Sequence, residues 1–222
     1  VRHGERHQFP PHLVNYRANL WALRSVGVRQ VLAPCAVGGL DPRFSPGTVV
    51  VPDQVVDRTW GREHTVYDEP GPVVHVGFAD PYCPTGRSAV LGAAAGQSEL
   101  PAVDGGTLVV INGPRFSSRA ESRWHQAAGW SVVGMTAMPE AKSMSLLPST
   151  STSKEPSTWS MKIGEVMPNP LETCFSRAAC SSRDFGPGIA VFNWRTVVPV
   201  LVPVLVPVLV AVSAVIWCNS HG

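Results

Sequence analysis

Charged residues are scarce in this sequence. Asp, Glu, Lys and Arg make up 15% of its 222 residues, where a soluble domain averages roughly 25%. The two signs nearly balance, with 18 basic and 16 acidic residues and a formal net charge of +2. This balance excludes a strongly basic nucleic-acid binder and an acidic tail. Hydrophobic residues still reach 44%, which is enough for a sizeable core and argues against wholesale disorder.

Paired cysteines are lacking as well. The five cysteines are widely spaced and form no Cys-x-x-Cys pair, standing at Cys35, Cys83, Cys174, Cys180 and Cys218. This spacing matches neither a zinc site nor a disulfide framework. No signal peptide opens the sequence. We therefore expect reduced thiols, no metal site and a cytoplasmic protein.

Residues 1–141 and 142–222 differ in composition. The first part alternates apolar runs with turn signals, as α/β domains do. The second part begins with a serine-rich stretch that has no apolar period, and it continues with scattered prolines. We predict one domain over residues 1–141 and a low-complexity tail over residues 142–222.

The end of the tail carries a tandem PVLV repeat that starts at Pro199. No charge falls between Thr196 and Cys218, and this apolar length is sufficient to span a bilayer. A proline at every fourth position opposes a membrane helix, because each removes a helical hydrogen bond and clashes with the preceding turn. The same prolines exclude a central strand. The pattern favours an extended, irregular segment, with membrane association as the less favoured alternative.

Hydrophobic patterning predicts the elements of the domain. Helices are predicted over residues 18–26, 86–95 and 119–128, the first ended by Gly27 and the last by Gly129. Strands are predicted over residues 28–33, 48–52, 73–78, 107–112 and 130–135. Ser117 and Ser118 can cap the third helix, with Glu121 as the capping-box partner.

Two segments near the start of the chain are candidates for ligand binding. Arg2 offers the forked N–H donors of a guanidinium and His3 adds a shorter donor, and this combination suits an oxyanion. A solvated basic turn fits the composition equally well. Residues 33–40 are interpreted as a turn of small residues after a buried strand, where a ligand can approach the backbone. A plain turn is the commoner explanation for such a segment.

Two further segments follow predicted strands. In residues 112–122, Gly113-Pro114 forces a turn and Phe116 comes directly after it. Phe116 is predicted either as a core residue, the usual fate of phenylalanine, or as a surface that stacks on a planar base. Residues 134–141 place Met135 and Thr136 at the end of another strand.

These segments together resemble one family. The motifs, in order, are RHGxxHxxPxxxVNYxAN from Arg2, PDQxxDRT within residues 51–59, HVxFADPYCP over 75–84, GPRFSSRAES over 113–122, and GMTxxPEA over 134–141. They resemble the S-methyl-5′-thioadenosine phosphorylase branch of the trimeric purine nucleoside phosphorylases. The resemblance covers residues 1–141 almost without gaps.

The resemblance implies phosphorolysis of a purine nucleoside. Phosphate attacks C1′ of 5′-methylthioadenosine and releases adenine and 5-methylthioribose 1-phosphate. The transition state is oxocarbenium-like, so positioning and electrostatics do most of the work. The resemblance further implies a cytoplasmic homotrimer that uses inorganic phosphate as co-substrate, needs no cofactor and binds no nucleic acid. The alternatives to this activity are that the protein is a 6-oxopurine nucleoside phosphorylase, or that it is an inactive, truncated or frame-shifted member of the family.

The resemblance also assigns roles to individual residues. The phosphate-binding residues it implies are Arg2, His3, Cys35 and Thr136. The nucleoside-binding residues it implies are Ala36, Phe116, Met135 and, from a neighbouring subunit, His75. It assigns no catalytic acid or base and no metal ligand in this sequence.

Two segments of the family pattern are not found in this sequence. They are the glycine-rich phosphate loop that precedes the Arg-His pair and the aspartate-containing base-binding segment that follows Pro-Glu-Ala. We therefore expect an α/β fold of the nucleoside phosphorylase type that is incomplete, with a mixed twisted sheet flanked by helices. The tail is expected to be unrelated to the family and largely irregular, as an out-of-frame segment or a lineage-specific extension.

Overall fold

The computed structural model describes residues 2–28, 30–44, 46–95 and 101–145, together with two short strands further along the chain. A 3-10 turn at Pro11–Leu13 precedes the helices, which are α1 (Tyr16–Ser25), α2 (Pro84–Ala95), α3 (Arg119–Ala127) and α4 (Ala137–Ser145). The strands are β1 (Gln30–Leu32), β2 (Cys35–Gly39), β3 (Val49–Val51), β4 (Gln54–Arg58), β5 (Ala102–Asp104), β6 (Thr107–Ile111), β7 (Val132–Gly134), β8 (Ile189–Val191) and β9 (Leu209–Ala211).

The main sheet is mixed and has five strands in the order β4-β6-β7-β2-β9. Strands β4, β6 and β7 are parallel, whereas β2 runs antiparallel to β7. Two further pairs, β3 with β5 and β1 with β8, are parallel. The predicted fold class, α/β with a mixed sheet and flanking helices, is confirmed.

The core forms around β6, which lies between β4 and β7. Leu108, Val109 and Val110 have no exposed surface, as expected for a strand that is covered on both faces. Leu20 of α1 and Val50 of β3 belong to the same apolar cluster as Leu108 and Val110. The apolar run at 107–112 therefore becomes the centre of the domain because it can be buried on both sides.

Local signals at the ends of α1 explain where this helix begins and ends. The Asn15 side chain caps the start by accepting a hydrogen bond from the backbone N–H of Ala18 at 2.9 Å. At the other end, the Gly27 N–H donates to Arg24 and the Val28 N–H donates to Leu23. This is a Schellman motif, and Gly27 suits it because its φ of +83° is strained for other residues.

The predicted capping box of α3 is present. The Ser118 hydroxyl accepts from the Glu121 N–H, and the Glu121 carboxylate accepts from the Ser118 N–H. Arg115 also donates two hydrogen bonds to this carboxylate, at 2.8 and 2.9 Å. The hydrogen bond from the Arg115 side chain is the largest cause of a strongly lowered Glu121 pKa, and the bonds from Ser118 add to it. The carboxylate is therefore held ionised at the helix N-terminus, where negative charge is favoured.

Two predictions about secondary structure are wrong. Residues 73–78 form no strand: they pair with no other strand of the described part, and Val73 is 78% exposed. Prolines and glycines on either side leave this apolar run without a hydrogen-bonding neighbour. Conversely, residues 33–40 are not merely a turn, because they contain β2. Small residues and glycines conceal a strand that is stabilised by pairing with β7.

Most of the predicted tail lies outside the described residues, and so does most of the PVLV repeat. Strand β9 follows Pro207 and pairs with β2 at an edge of the main sheet, where proline is tolerated nearby. No helix among the described residues is long and apolar enough to cross a membrane. Cys83 is disulfide-bonded, so the expectation of reduced thiols is wrong for this residue.

The capping box of α3 gives a stability prediction. Replacing Ser118 with Ala leaves the Glu121 N–H without its side-chain acceptor and lowers the free energy of unfolding by about 1 kcal/mol. Urea denaturation of the full chain measures this change. Arg123→Ala is the control, because Arg123 is an exposed residue of the same helix and its replacement stays within about 0.5 kcal/mol. Equal effects of the two substitutions would contradict a role for the cap.

Candidate active site

The candidate site lies at one end of the main sheet. The parallel strands β6 and β7 both finish there, followed by Asn112 and Met135. The antiparallel strand β2 starts at the same end, because Gly38 pairs with Val133 and Gly39 with Val132. The sheet topology therefore gathers three predicted binding segments at the carboxyl ends of parallel strands, where open α/β sheets bind ligands.

Arg2 is buried against α4 and the start of β2. Its Nε and Nη2 donate to the two carboxylate oxygens of Glu140 at 3.1 and 2.8 Å, and its Nη1 donates to the Pro34 carbonyl at 3.2 Å. The two side chains are 8% and 2% exposed. Burial opposes the charged form of Arg2, but the Glu140 carboxylate outweighs it and the pKa of Arg2 is raised. This bidentate pair holds the guanidinium charged and in a fixed orientation beside Cys35.

His3 is also fixed by its surroundings. Its Nδ1 donates to the Phe9 carbonyl at 2.8 Å, which leaves Nε2 for another partner. Its ring lies 4.4 Å from the ring of His7, measured between centroids. Burial is the main cause that lowers the pKa of His3, and the nearby charges of His7 and Arg2 act in the same direction. His3 is therefore neutral at neutral pH in the free protein.

Cys35 and Thr136 are the other two residues predicted to bind phosphate. Cys35 is buried at the start of β2 and is not in a disulfide. Thr136 is 6% exposed and lies between the end of β7 and the start of α4. Because Arg2 bonds to Pro34, the residue before Cys35, the structure brings Arg2 and Cys35 to one place. The roles of all four residues in binding phosphate stay predictions.

Two residues predicted to contact the nucleoside lie on neighbouring strands. Ala36 is exposed in β2, and Met135 is half-buried after β7. Met135 packs tightly against Gly113, where an added Cβ atom would lie 2.7 Å from the Met135 sulfur. Gly113 also has a φ of +61°, so both its conformation and this close approach require glycine. The Met135 side chain is thus held at the carboxyl end of β6.

Phe116 and His75, the remaining predicted contacts, are exposed. Phe116 is 76% exposed, so its interpretation as a core residue is wrong and a stacking surface remains. His75 is exposed in the segment that the sequence predicted as a strand. These two residues therefore lie at the surface, whereas His3, Cys35 and Thr136 are buried. A role for His75 at a neighbouring subunit stays a prediction.

Sequence reasoning missed three residues that organise this site. Glu140 was part of a motif without an assigned role, and Tyr16 and Arg62 were not singled out. The Tyr16 hydroxyl donates to the Pro11 carbonyl at 2.8 Å and lies 3.3 Å from Nη1 of Arg62. Burial raises the pKa of Tyr16 to about 12, so it is a neutral phenol. Only the pairing of Glu140 with a basic residue far along the chain reveals its role, and sequence spacing does not show such pairs.

The buried ion pair gives a second stability prediction. Replacing Glu140 with Gln leaves Arg2 charged, buried and without its counter-ion, and lowers the free energy of unfolding by about 3–5 kcal/mol. The double replacement Arg2→Met, Glu140→Leu removes both charges and costs less than Glu140→Gln, because no unpaired charge is left. Urea denaturation of the full chains compares them. A double variant that is less stable than the single one would contradict this account.

Comparison with known proteins agrees with the resemblance found in the motifs. The family model of the phosphorylase superfamily matches residues 1–147. The chain is 66% identical over 147 residues to a purine nucleoside phosphorylase of Streptomyces coelicolor, covering 63% of this chain and 52% of the relative. It is 62% identical over 141 residues to an S-methyl-5′-thioadenosine phosphorylase of Mycolicibacterium smegmatis, covering 63% and 51%.

Solved structures give the same result for the fold. Methylthioadenosine phosphorylase from Schistosoma mansoni in complex with tubercidin superposes with a TM-score of 0.59 at 38% identity, covering 64% of this chain and 57% of that one. The chain spans about half the length of the curated relatives it matches. Because the family model covers well over half of the 222 residues, this chain belongs to the phosphorylase superfamily.

Proposed function

We propose that this protein acts in the phosphorolysis of 5′-methylthioadenosine, with inorganic phosphate as co-substrate and no cofactor. The observation that carries the proposal is the grouping at one end of the sheet. Arg2 is fixed between the start of β2 and α4, His3 follows it in the chain, and Met135 and Thr136 follow β7 at the same end of the sheet. This arrangement suits an anion next to a sugar.

The phosphate side of the proposed site supplies a charged donor, a neutral imidazole and a hydroxyl. Arg2 supplies a charged guanidinium whose orientation is fixed by Glu140 and Pro34, and a charged donor of this kind attracts an oxyanion. His3 offers Nε2, which in the neutral ring with a protonated Nδ1 accepts a hydrogen bond from a protonated phosphate oxygen, and Thr136 offers its hydroxyl. Because Glu140 and Phe9 already orient Arg2 and His3, little ordering is needed when phosphate binds.

The nucleoside side of the proposed site is apolar. Met135 lies against Gly113 and provides the surface for the ribose, while Ala36 approaches through its backbone in β2. The exposed ring of Phe116 stacks on the purine. These groups hold C1′ next to the phosphate, and negative charge from phosphate stabilises the oxocarbenium-like sugar in the transition state. We assign no described residue to protonation of the departing base.

The wider organisation forms part of the same proposal. Residues 1–141 make up the phosphorylase domain, and residues 142–222 form a tail whose strands β8 and β9 pair with β1 and β2 of that domain. The protein is a cytoplasmic homotrimer in which His75 of one copy reaches the 5′ substituent bound by its neighbour. The exposure of His75 and of Val73 nearby supports this arrangement, since exposed apolar loops are common at interfaces.

One assay of the purified full chain tests the proposal. We expect adenine release from 5′-methylthioadenosine that requires phosphate and yields a sugar 1-phosphate. Inosine is the comparator and reactions without phosphate are the control. Faster release of hypoxanthine from inosine would assign the site to 6-oxopurine nucleosides instead. Absence of turnover with either nucleoside would overturn the proposal in favour of an inactive member of the family.

Thr136 gives a more specific prediction. Thr136→Val keeps the shape of the side chain and removes the hydroxyl donor, so we expect the KM for phosphate to rise about tenfold, as for one lost hydrogen bond to a charged group. The KM for the nucleoside should change less than about threefold.

Thr59→Val is the matched control, because the Thr59 hydroxyl donates to Asp57 in an exposed turn at 2.7 Å. Initial rates at varied phosphate and at varied nucleoside distinguish the two constants. An unchanged KM for phosphate in Thr136→Val would remove Thr136 from the phosphate site.

A further inference from the structure

Arg62 is a buried cation whose acceptors within the described part of the chain are all neutral. It is 8% exposed. Its Nε donates to the Asn112 side-chain oxygen at 3.3 Å and its Nη2 to the Asn112 carbonyl at 2.7 Å. Its Nη1 donates to the Met138 carbonyl and lies 3.3 Å from the Tyr16 hydroxyl. Burial lowers the pKa of Arg62, while Tyr16 and the more distant charge of Asp57 oppose that effect.

The acceptors of Arg62 belong to the two loops that carry the proposed nucleoside contacts. Asn112 follows β6 and directly precedes Gly113, the start of the turn that leads to Phe116. Met138 lies two residues after Thr136 and three after Met135. One planar guanidinium therefore joins the end of β6 to the segment that leaves β7.

The backbone conformation of Met138 leaves its carbonyl available for the hydrogen bond from Arg62. Met138 lies inside the bounds of α4 but has φ −121° and ψ 137°, which are extended values. The following residue is Pro139, and a residue before proline is driven out of the helical region. Its carbonyl is therefore not part of the helical hydrogen-bond pattern and is available to Arg62.

The Gly113 turn and the Met135 loop touch at the proposed ribose-binding surface. Gly113 and Met135 approach so closely that a Cβ atom on Gly113 would lie 2.7 Å from the Met135 sulfur. A shift of either loop by a few tenths of an ångström alters this contact, and with it the surface offered to the ribose. The Arg62 acceptors lie on both sides of the contact in sequence, one residue before Gly113 and three after Met135.

We propose that Arg62 is a positioning residue, which fixes the Gly113 turn against the Met135 loop and so sets the nucleoside-binding surface without touching substrate. The inference rests on the proposed function for what is positioned, and on the contacts of Arg62 for the positioning itself. A buried cation held only by neutral groups is an unfavourable way to fill a core. A planar guanidinium, whose N–H donors point in several directions, can however bond to three acceptors on separate segments at once.

Arg62→Lys is the decisive variant. Lysine keeps the positive charge, but its three donors radiate from one nitrogen and cannot reproduce the fork that spans Asn112 and Met138. The matched control is Arg87→Lys. Arg87 also bridges elements, donating to the Pro52 and Val51 carbonyls at 3.0 and 3.4 Å and pairing with Asp104, but it joins α2 to β3 and β5 outside the candidate site.

The kinetic readout separates positioning from general stability. With the full chain, Arg62→Lys should lower kcat/KM for 5′-methylthioadenosine by about tenfold or more and change the KM for phosphate by less than about threefold. Arg87→Lys should leave both constants within about twofold of the original. Equal losses in the two lysine variants, or an unchanged kcat/KM in Arg62→Lys, would overturn the proposal.

A spectroscopic readout decides the proposal even if the chain turns over no nucleoside. In methyl-labelled protein, the Met135 and Met138 signals should shift in Arg62→Lys and stay in place in Arg87→Lys. Asn112→Ala removes the acceptor shared by Nε of Arg62 and the Trp60 N–H but keeps the carbonyl acceptor of Nη2, so it should shift the Met135 signal in the same direction by less and serves if Arg62→Lys does not fold. Unmoved Met135 signals in the folded variants would overturn the positioning role, whereas absent turnover alone would overturn only the proposed function.

Discussion

The ion pair of Arg2 with Glu140 is the constraint on which the candidate site depends. It joins residues 138 positions apart and encloses β2, β6 and β7 between its two ends in the sequence. Because both side chains are almost fully buried, neither charge can be left alone without a large cost. The third bond of Arg2, to Pro34, brings the start of β2 into the same arrangement. The Arg2 guanidinium thus joins α4 and the start of β2, two parts of the site that are far apart in the sequence.

A second guanidinium organises the opposite side. Arg62 takes its acceptors from Tyr16, Asn112 and Met138, and Tyr16 is itself bonded to Pro11. Glu140 neutralises Arg2, whereas the hydrogen-bond acceptors of Arg62 are neutral, so the two arginines differ in charge balance. Arg2 is thus held by a counter-ion, whereas Arg62 is held by neutral acceptors among the described residues.

Local signals predicted much of the fold correctly. Gly27, Ser118 and Glu121 act at helix ends as their positions indicated, because capping involves neighbours a few residues apart. The apolar run at 107–112 was recognised because a strand buried on both faces needs no alternation. Strand β2 was missed, since glycine and alanine carry little strand preference and β7 supplies the pairing. The predicted strand at 73–78 was wrong for the opposite reason: its side chains favour a strand, but no strand that the structure describes lies beside it.

The family motifs, the α/β class and the residue types at the site follow from the amino-acid sequence alone, because they depend on composition and short-range spacing. The sequence also indicated Arg2 and His3 as anion-binding residues, a role that remains a prediction. Tertiary structure alone decided that Glu140 orients Arg2, that Arg62 joins two loops and that Met135 rests on Gly113. These contacts arise where strands that are distant in sequence end side by side. The energetic effect of a buried charge or of a close approach depends on the partner residue, and only the fold brings that partner into contact.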